Sequence, residues 1–434
     1  MKTLNQIKTN ILYFGDDYTP IAQWAMHNEI INDDTNQFLT PQEMIRELRN
    51  IIENDWAQFD HACWDVATKE NSYDRYIALF GNEGLHFQEV PSQENPVPEE
   101  PTSPTPLDEY SPRAIADALN RNPNADGYNV DILKERGVTY ESVRGKITTI
   151  PDDVLEFALN PKNNHREIFP GKLPTDHNLK DCVEIYFWGI PRAGKTSILA
   201  SLLSYCRSEG YVNWADNANN VPGYNYFNAL SGSMIRNPAW VPQPTPHGGC
   251  QYMMLCNPSN QKTKFVFFDV AGELVVDLHP QIKSEKLNLW EGFDHYLHDP
   301  NPKFHFFVYD VLDNFIDDLG LSQSVYIDCL RQHFEETEAF KKKNTIGFAF
   351  IAAKSDLLSS SEKPEDVIVK NSASFLGMIE HTARKYGIIR GKESLPVIPY
   401  SIGDVYMSGV CKPNQEYPMS LWTYIAKKIL GFEL

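Results

Sequence analysis

The residues best suited to chemistry are Gly189-Ile190-Pro191-Arg192-Ala193-Gly194-Lys195-Thr196, followed by Ser197. Two glycines five apart, then lysine and a hydroxyl residue, make a loop whose backbone amides can curl around phosphate oxygens. The start of a following helix adds partial positive charge there. In such a loop the Lys195 ammonium reaches the β- and γ-phosphates, and the Thr196 hydroxyl ligates Mg²⁺. The flanks suit that use. Residues 182–188, Cys-Val-Glu-Ile-Tyr-Phe-Trp, read as a buried strand, while Ile198, Leu199, Leu202, Leu203 and Cys206 keep the one-sided spacing of a helix. The sequence therefore places a nucleotide-phosphate site at residues 189–197.

The chain that must position this loop alternates strand-like and helix-like segments, the pattern of an open α/β sheet. Gln251 to Cys256 and Thr263 to Asp269 are β-rich runs joined by Asn257-Pro258-Ser259-Asn260, which predicts an antiparallel hairpin ending in Asp269-Val270-Ala271-Gly272-Glu273. A strand from Phe304 to Asp310, a helix around Ser322 to Phe340 and an apolar strand from Ile346 to Ala353 follow, the last running into Lys354-Ser355-Asp356. A strand at Leu395 to Pro399 leads to Tyr400-Ser401-Ile402, and a helix from Leu421 to Leu430 closes the chain.

In this order, residues 182–434 resemble a Ras-like GTPase domain of the translation-factor-related class of P-loop GTPases. The D-x-A-G at Asp269 to Gly272 resembles switch II. By that resemblance Asp269 holds Mg²⁺ through water, the Gly272 amide meets the γ-phosphate, and Glu273 stands where many relatives carry a water-positioning glutamine. Lys354-Ser355-Asp356 resembles the end of the guanine-reading N-K-x-D, with Ala353 where asparagine is usual. The resemblance makes Asp356 the base selector, accepting from guanine N1–H and its exocyclic amine, with Lys354 covering the ring. The missing asparagine removes a brace to the phosphate loop. Ser401 and Ile402 take the place of the short loop that contacts the guanine carbonyl. Seventy-two residues separate Thr196 from Asp269, more than a minimal domain of this kind uses, and 211–249 is rich in Asn, Pro and Gly. That stretch reads as an enlarged switch I insertion. Thr245 is the only threonine from 197 to 262, hence the candidate for sensing the γ-phosphate and ligating Mg²⁺.

The resemblance implies a mostly parallel sheet with one antiparallel hairpin strand, helices on both faces, and helical domains ahead of it. It also implies GTP and GDP as ligands, Mg²⁺ as cofactor, and in-line attack of water on the γ-phosphorus. Lys195 and Mg²⁺ would neutralise developing charge while Gly272 and Thr245 fix the water. A Glu273 carboxylate facing the γ-phosphate predicts slow hydrolysis, and a nucleotide-dependent switch for a protein partner. Two other readings stay open. Glu273, Pro191 and Ala353 also suit a GTP-bound scaffold that does not turn over, and a P-loop ATPase is disfavoured by the hairpin before Asp269 and by Lys354 with Asp356. Arg192 and Arg236 are either internal arginine fingers or plain surface arginines. His295 and His298 either cap carbonyls or imitate a metal site.

The remainder bounds the setting. With 434 residues, 42% hydrophobic and 22% charged, the chain suits two or three globular domains. A net charge of -19 disfavours nucleic acid and anionic membrane as main partners. Residues 1–110 hold six Lys/Arg against twenty Asp/Glu, so the acidity belongs to the N-terminal part, as solubility or as a face for a basic partner. The longest apolar stretch is eight residues and the start lacks the apolar core of a secretory signal, so a cytoplasmic location is expected. Seven cysteines with no C-x-x-C read as reduced, mostly buried thiols. Four regions are expected: an acidic helical domain at 1–90, a proline-rich linker at 91–112, a small helical adaptor at 113–180, and the phosphate-binding domain at 181–434. A protein partner is expected to meet the N-terminal helical region and the switches.

Overall fold

The computed structural model describes residues 2–4, 7, 18–27, 30–31, 39–52, 56–70, 76 and 79 of the N-terminal part, and 110–164, 168, 170–171, 173–174, 179–215, 220–243, 245, 249–279, 289–312, 321–340 and 344–432 of the rest. Met1–Ser103 and Pro104–Leu434 form two compact units. The proline-rich linker expected at 91–112 lies, up to residue 109, outside the described residues.

The N-terminal unit is built on helices Thr19–Met26, Pro41–Ile52 and Trp56–Glu70. A capping box starts the second of these: Thr40 N donates to Glu43 Oε2 at 3.0 Å, and Glu43 N donates to Thr40 Oγ1 at 3.3 Å. Leu48, Ile52, Phe59 and Cys63 are buried together, the first two on Pro41–Ile52 and the last two on Trp56–Glu70.

In the second unit, four short helices come first: α1 (Pro112–Arg121), α2 (Val130–Glu135), α3 (Tyr140–Val143) and α4 (Asp152–Leu159). Then follow β1 (Cys182–Trp188), α5 (Lys195–Ser208), β2 (Asn213–Trp214), α6 (Val221–Ser233), β3 (Ala239–Trp240), β4 (Cys250–Asn257) and β5 (Asn260–Val270). The chain continues through α7 (Glu273–Val276), α8 (Leu289–His298), β6 (Lys303–Asp310), α9 (Gln323–Glu336), β7 (Thr345–Ala353) and α10 (Pro364–Lys385). It ends with β8 (Val397–Tyr400), β9 (Gly403–Tyr406), β10 (Val410–Pro413) and α11 (Glu416–Tyr424).

Seven strands form one sheet in the order β8-β7-β6-β1-β5-β4-β2. The five from β8 to β5 are parallel; on the β5 side β4 pairs antiparallel with β5, and β2 pairs antiparallel with β4. The expected hairpin is there, with Asn257 opposite Asn260 at its turn. Consecutive residues Ile185, Tyr186, Phe187 and Trp188 are all fully buried, so helices must cover both faces of the centre. On one face Tyr186 stacks on Phe268 at 4.4 Å and on Trp188 at 5.4 Å; on the other Phe187 stacks on Phe306 at 5.2 Å. Each such ring removed from water contributes roughly 1.5–3 kcal/mol, which makes this aromatic slab the rigid floor of the site.

A second sheet, β9-β10-β3, is wholly antiparallel and draws β3 from the region expected to be an enlarged switch I insertion. Helices α1 to α4 share their core with it: Ile115, Leu119, Leu133 and Leu155 pack with Met407 and Val410. Val130 N donates to Met407 O at 3.1 Å and Met407 N donates to Pro123 O at 2.8 Å, tying the helical segment to the C-terminal hairpin. All seven cysteines are free, and all but Cys329 are buried. Among the described residues, no helix is long and apolar enough to cross a membrane.

Candidate functional site

The parallel strands end along one edge. Phe187 is level with Asp269, Trp188 with Phe307, Asp310 with Ala353, and Ala353 with Tyr400. The segments that follow, 189–194, 269–273, 354–356 and 401–402, therefore gather at the carboxyl ends of the strands. The chain leaves β1 toward the β2–β5 side and leaves β5 for β6 on the other side of β1, the reversal at which open α/β sheets form their ligand crevices.

The phosphate loop leaves β1 and turns into α5. Gly194 takes φ +92, a left-handed backbone that glycine adopts without strain, and it caps the helix. The first intrahelical bond runs from Ile198 N to Gly194 O at 2.8 Å. The amides of Lys195, Thr196 and Ser197 thus have no carbonyl behind them and form an anion-accepting concavity. Lys195 is 5% exposed, and its Nζ donates to Gly189 O and Ile190 O, each at 2.8 Å. That leaves one of its three donors for a phosphate. Burial lowers the Lys195 pKa to about 8, opposed by the charges of Asp269 and Glu273. Pro191 is half-buried and Ala193 buried, while Arg192 is exposed and holds φ +63.

Beside this loop three distant segments meet. Thr196 Oγ1 lies 2.6 Å from Thr245 Oγ1 and donates to Asp269 Oδ2 at 3.1 Å. Tyr226 Oη, from α6, donates to the same Asp269 Oδ2 at 2.5 Å. Asp269 is fully buried, and its Oδ1 has no hydrogen-bond partner. Burial raises the Asp269 pKa, and the hydrogen bond from Tyr226, the charge of Lys195 and the bond from Thr196 oppose that rise. A buried carboxylate oxygen left bare is satisfied by a cation. Adjacent oxygens on an octahedral Mg²⁺ with bonds of about 2.0–2.1 Å stand about 2.9 Å apart, close to the spacing of the two threonine hydroxyls. The residues present fit Mg²⁺.

Gly272 sits against the loop itself. A Cβ there would fall 2.1 Å from Pro191 N and 2.3 Å from Ile190 C, so only glycine lets the 269–273 segment close on residues 190–191. Glu273 follows as the first residue of α7, half-buried, near enough to Lys195 for its charge to act on that ammonium.

At the far end, Lys354 takes φ +62 and its Nζ bonds Asp310 Oδ2 at 2.5 Å. Asp356 lies exposed in the 3₁₀ turn Ser355–Leu357, and Ser355 Oγ donates to Ala352 O at 2.6 Å. Ser401 is 4% exposed and its Oγ accepts from Gly403 N at 3.0 Å, with Ile402 half-buried beside it. Ala353 is 3% exposed and presents no polar group.

Sequence reasoning missed Tyr226 and Asp310. Tyr226 lies inside the stretch expected to be an enlarged switch I insertion, and the spacing of Tyr226, Phe227 and Leu230 marks only a buried helical face. Asp310 ends a strand, where nothing local foretells its bond to Lys354. Arg236 lines a cavity with Phe157 and Trp240 whose described lining includes no phosphate-loop residue. His298 resolves as a cap, with Nδ1 2.7 Å from Asp294 O and Nε2 2.8 Å from Thr337 O.

No protein-family model matches the chain, and no curated protein matches it. Solved structures similar to part of it include the signal recognition particle receptor SRb-GTP/SRX complex from Chaetomium thermophilum, at 14% identity and a TM-score of 0.27. That match covers 52% of this chain and 94% of the other. The Ski7 GTPase-like domain of S. cerevisiae bound to GTP is similar at 14% identity and a TM-score of 0.25, covering 51% of this chain and 43% of that one. The same domain bound to GDP and inorganic phosphate is similar at 12% identity and a TM-score of 0.25, with the same coverage.

Proposed function

We propose that residues 181–434 bind GTP with Mg²⁺, hydrolyse it slowly, and act as a nucleotide-dependent switch for a protein partner. The observation that carries this reading is the meeting of Thr196, Thr245 and Asp269, from three separate stretches of chain, beside the buried Lys195 ammonium. A triphosphate tail entering the 189–197 loop would meet the amides of residues 195–197 and the remaining Lys195 donor. Thr196 and Thr245 would hold Mg²⁺ directly and Asp269 through water, and the ion would neutralise charge on the β- and γ-phosphate oxygens. The Gly272 amide and Thr245 would fix the attacking water. Glu273 in place of a neutral amide disfavours a second negative charge nearby, which supports slow turnover. Lys354 and Asp356 support guanine as the base by their resemblance to the guanine-reading motif. The N-terminal helical region would convey the state of the switches to the partner.

Titration calorimetry with GTP, GDP and ATP, each with Mg²⁺ and with a chelator, tests the binding. Tight Mg²⁺-dependent GTP binding with weak ATP binding is expected, and an ATP preference would remove the guanine assignment. Single-turnover cleavage then separates a slow GTPase from a GTP-bound scaffold.

A further inference from the structure

A cavity of about 370 Å³ lies among the helical segment, α6 and β3, and it shares no described lining residue with the phosphate loop. Its volume falls in the range that takes a small organic ligand. One wall is aromatic: the Trp240 ring lies 5.2 Å from Phe157 and has Lys134 Nζ 5.2 Å from its centroid. Another is one face of α6. Tyr226, Phe227 and Leu230 are buried, whereas Asn228, Ala229, Gly232 and Ser233, spaced by one and four, turn to the cavity.

The charge of the lining is the informative part. Lys162 and Arg236 both border the cavity, both are exposed, and neither pairs with a carboxylate of a described residue. The described lining contains no Asp or Glu, in a chain whose net charge is -19. An acidic protein has here a concave spot with two cations, neutral amides from Asn163, Asn164 and Asn228, and a flat aromatic wall. Gly232 leaves space as well, since a Cβ there meets nothing within 4 Å.

We propose that this cavity binds an organic anion with a flat apolar body, its rings against Trp240 and its acidic group between Lys162 and Arg236. The site stands apart from the nucleotide reading and needs none of its residues.

The test uses the full chain and two fluorescent probes of similar shape, the anion anilinonaphthalenesulfonate and the neutral phenylnaphthylamine. Wild type binds the anion saturably, one molecule per chain. Gly232→Trp, which fills the space from an open position, abolishes that binding. Arg236→Glu weakens the anion by about tenfold and leaves the neutral probe unchanged, as reversing one of two recognising cations requires. Binding that is absent in wild type, that survives Gly232→Trp, or that GTP with Mg²⁺ displaces by competition overturns the assignment.

Discussion

Tyr226 donates its hydroxyl to Asp269 Oδ2, the same oxygen that the Thr196 hydroxyl reaches. With Oδ2 held from two sides, Oδ1 is the oxygen free to face a cation. Tyr226→Phe keeps the ring and removes one holder. A lost hydrogen bond to a carboxylate costs about 1.5–3 kcal/mol, and a lost orienting partner lowers metal affinity by about 10–100-fold. The Mg²⁺ concentration giving half-maximal GTP binding should therefore rise by at least about tenfold. An unchanged Mg²⁺ midpoint with a lowered melting temperature would reduce Tyr226 to a packing residue.

Lys195 gives the site a pH dependence. Its pKa is lowered to about 8 by burial, from 10.5, so the ammonium survives below pH 8 and is lost as pH rises through it. Since a phosphate stabilises the charged form, GTP binding should take up protons near and above pH 8 and weaken beyond it. The unfolded chain keeps the proton to higher pH, so this one group's contribution to folded-state stability rises as pH goes from about 8 to 10.5 and stays at the higher value above that. Calorimetry in buffers of different ionisation enthalpy reads the uptake; a binding enthalpy independent of buffer at pH 8.5 contradicts the prediction.

Gly272→Ala drives a methyl into the backbone of Ile190 and Pro191. The two segments must part, at roughly 1–3 kcal/mol in stability. GTP cleavage should fall well over tenfold while GDP, which needs no contact at Gly272, binds within about threefold of wild type. Equal losses for both nucleotides would show that the substitution damages the loop itself.

Asp356→Asn exchanges a carboxylate that, on the proposed reading, would accept from two guanine N–H groups for an amide that can also donate. GTP affinity should fall by about 10–100-fold, with xanthosine triphosphate gaining in its place. Unaltered GTP affinity removes Asp356 from the base pocket.

Much of the sheet was legible because its signals are local. Residues 182–188 form a strand with the predicted limits, and the Asn257–Asn260 turn fixes the hairpin that ends at Asp269. What escaped the sequence depends on long-range packing. Tyr226 reaches Asp269 across forty-three positions, and Lys354 reaches Asp310 across forty-four, so no local periodicity records either. Residues 211–249 read only as an enlarged switch I insertion rich in Asn, Pro and Gly, and within it Pro222 and Asn220 start a helix, Asn220 Oδ1 accepting from Gly223 N at 3.0 Å. Likewise the partner of Ala239 and Trp240, the strand at Val410 and Cys411, lies far along the chain.

That last pairing carries a mechanical consequence. Strand β3 is clamped to β10, which follows the Ser401 loop, while Cys250 opens β4 opposite Val270. Thr245 lies five residues from each of two strand pairings, at Trp240 and at Cys250, so the travel of its hydroxyl away from Thr196 is bounded by five residues of chain on either side.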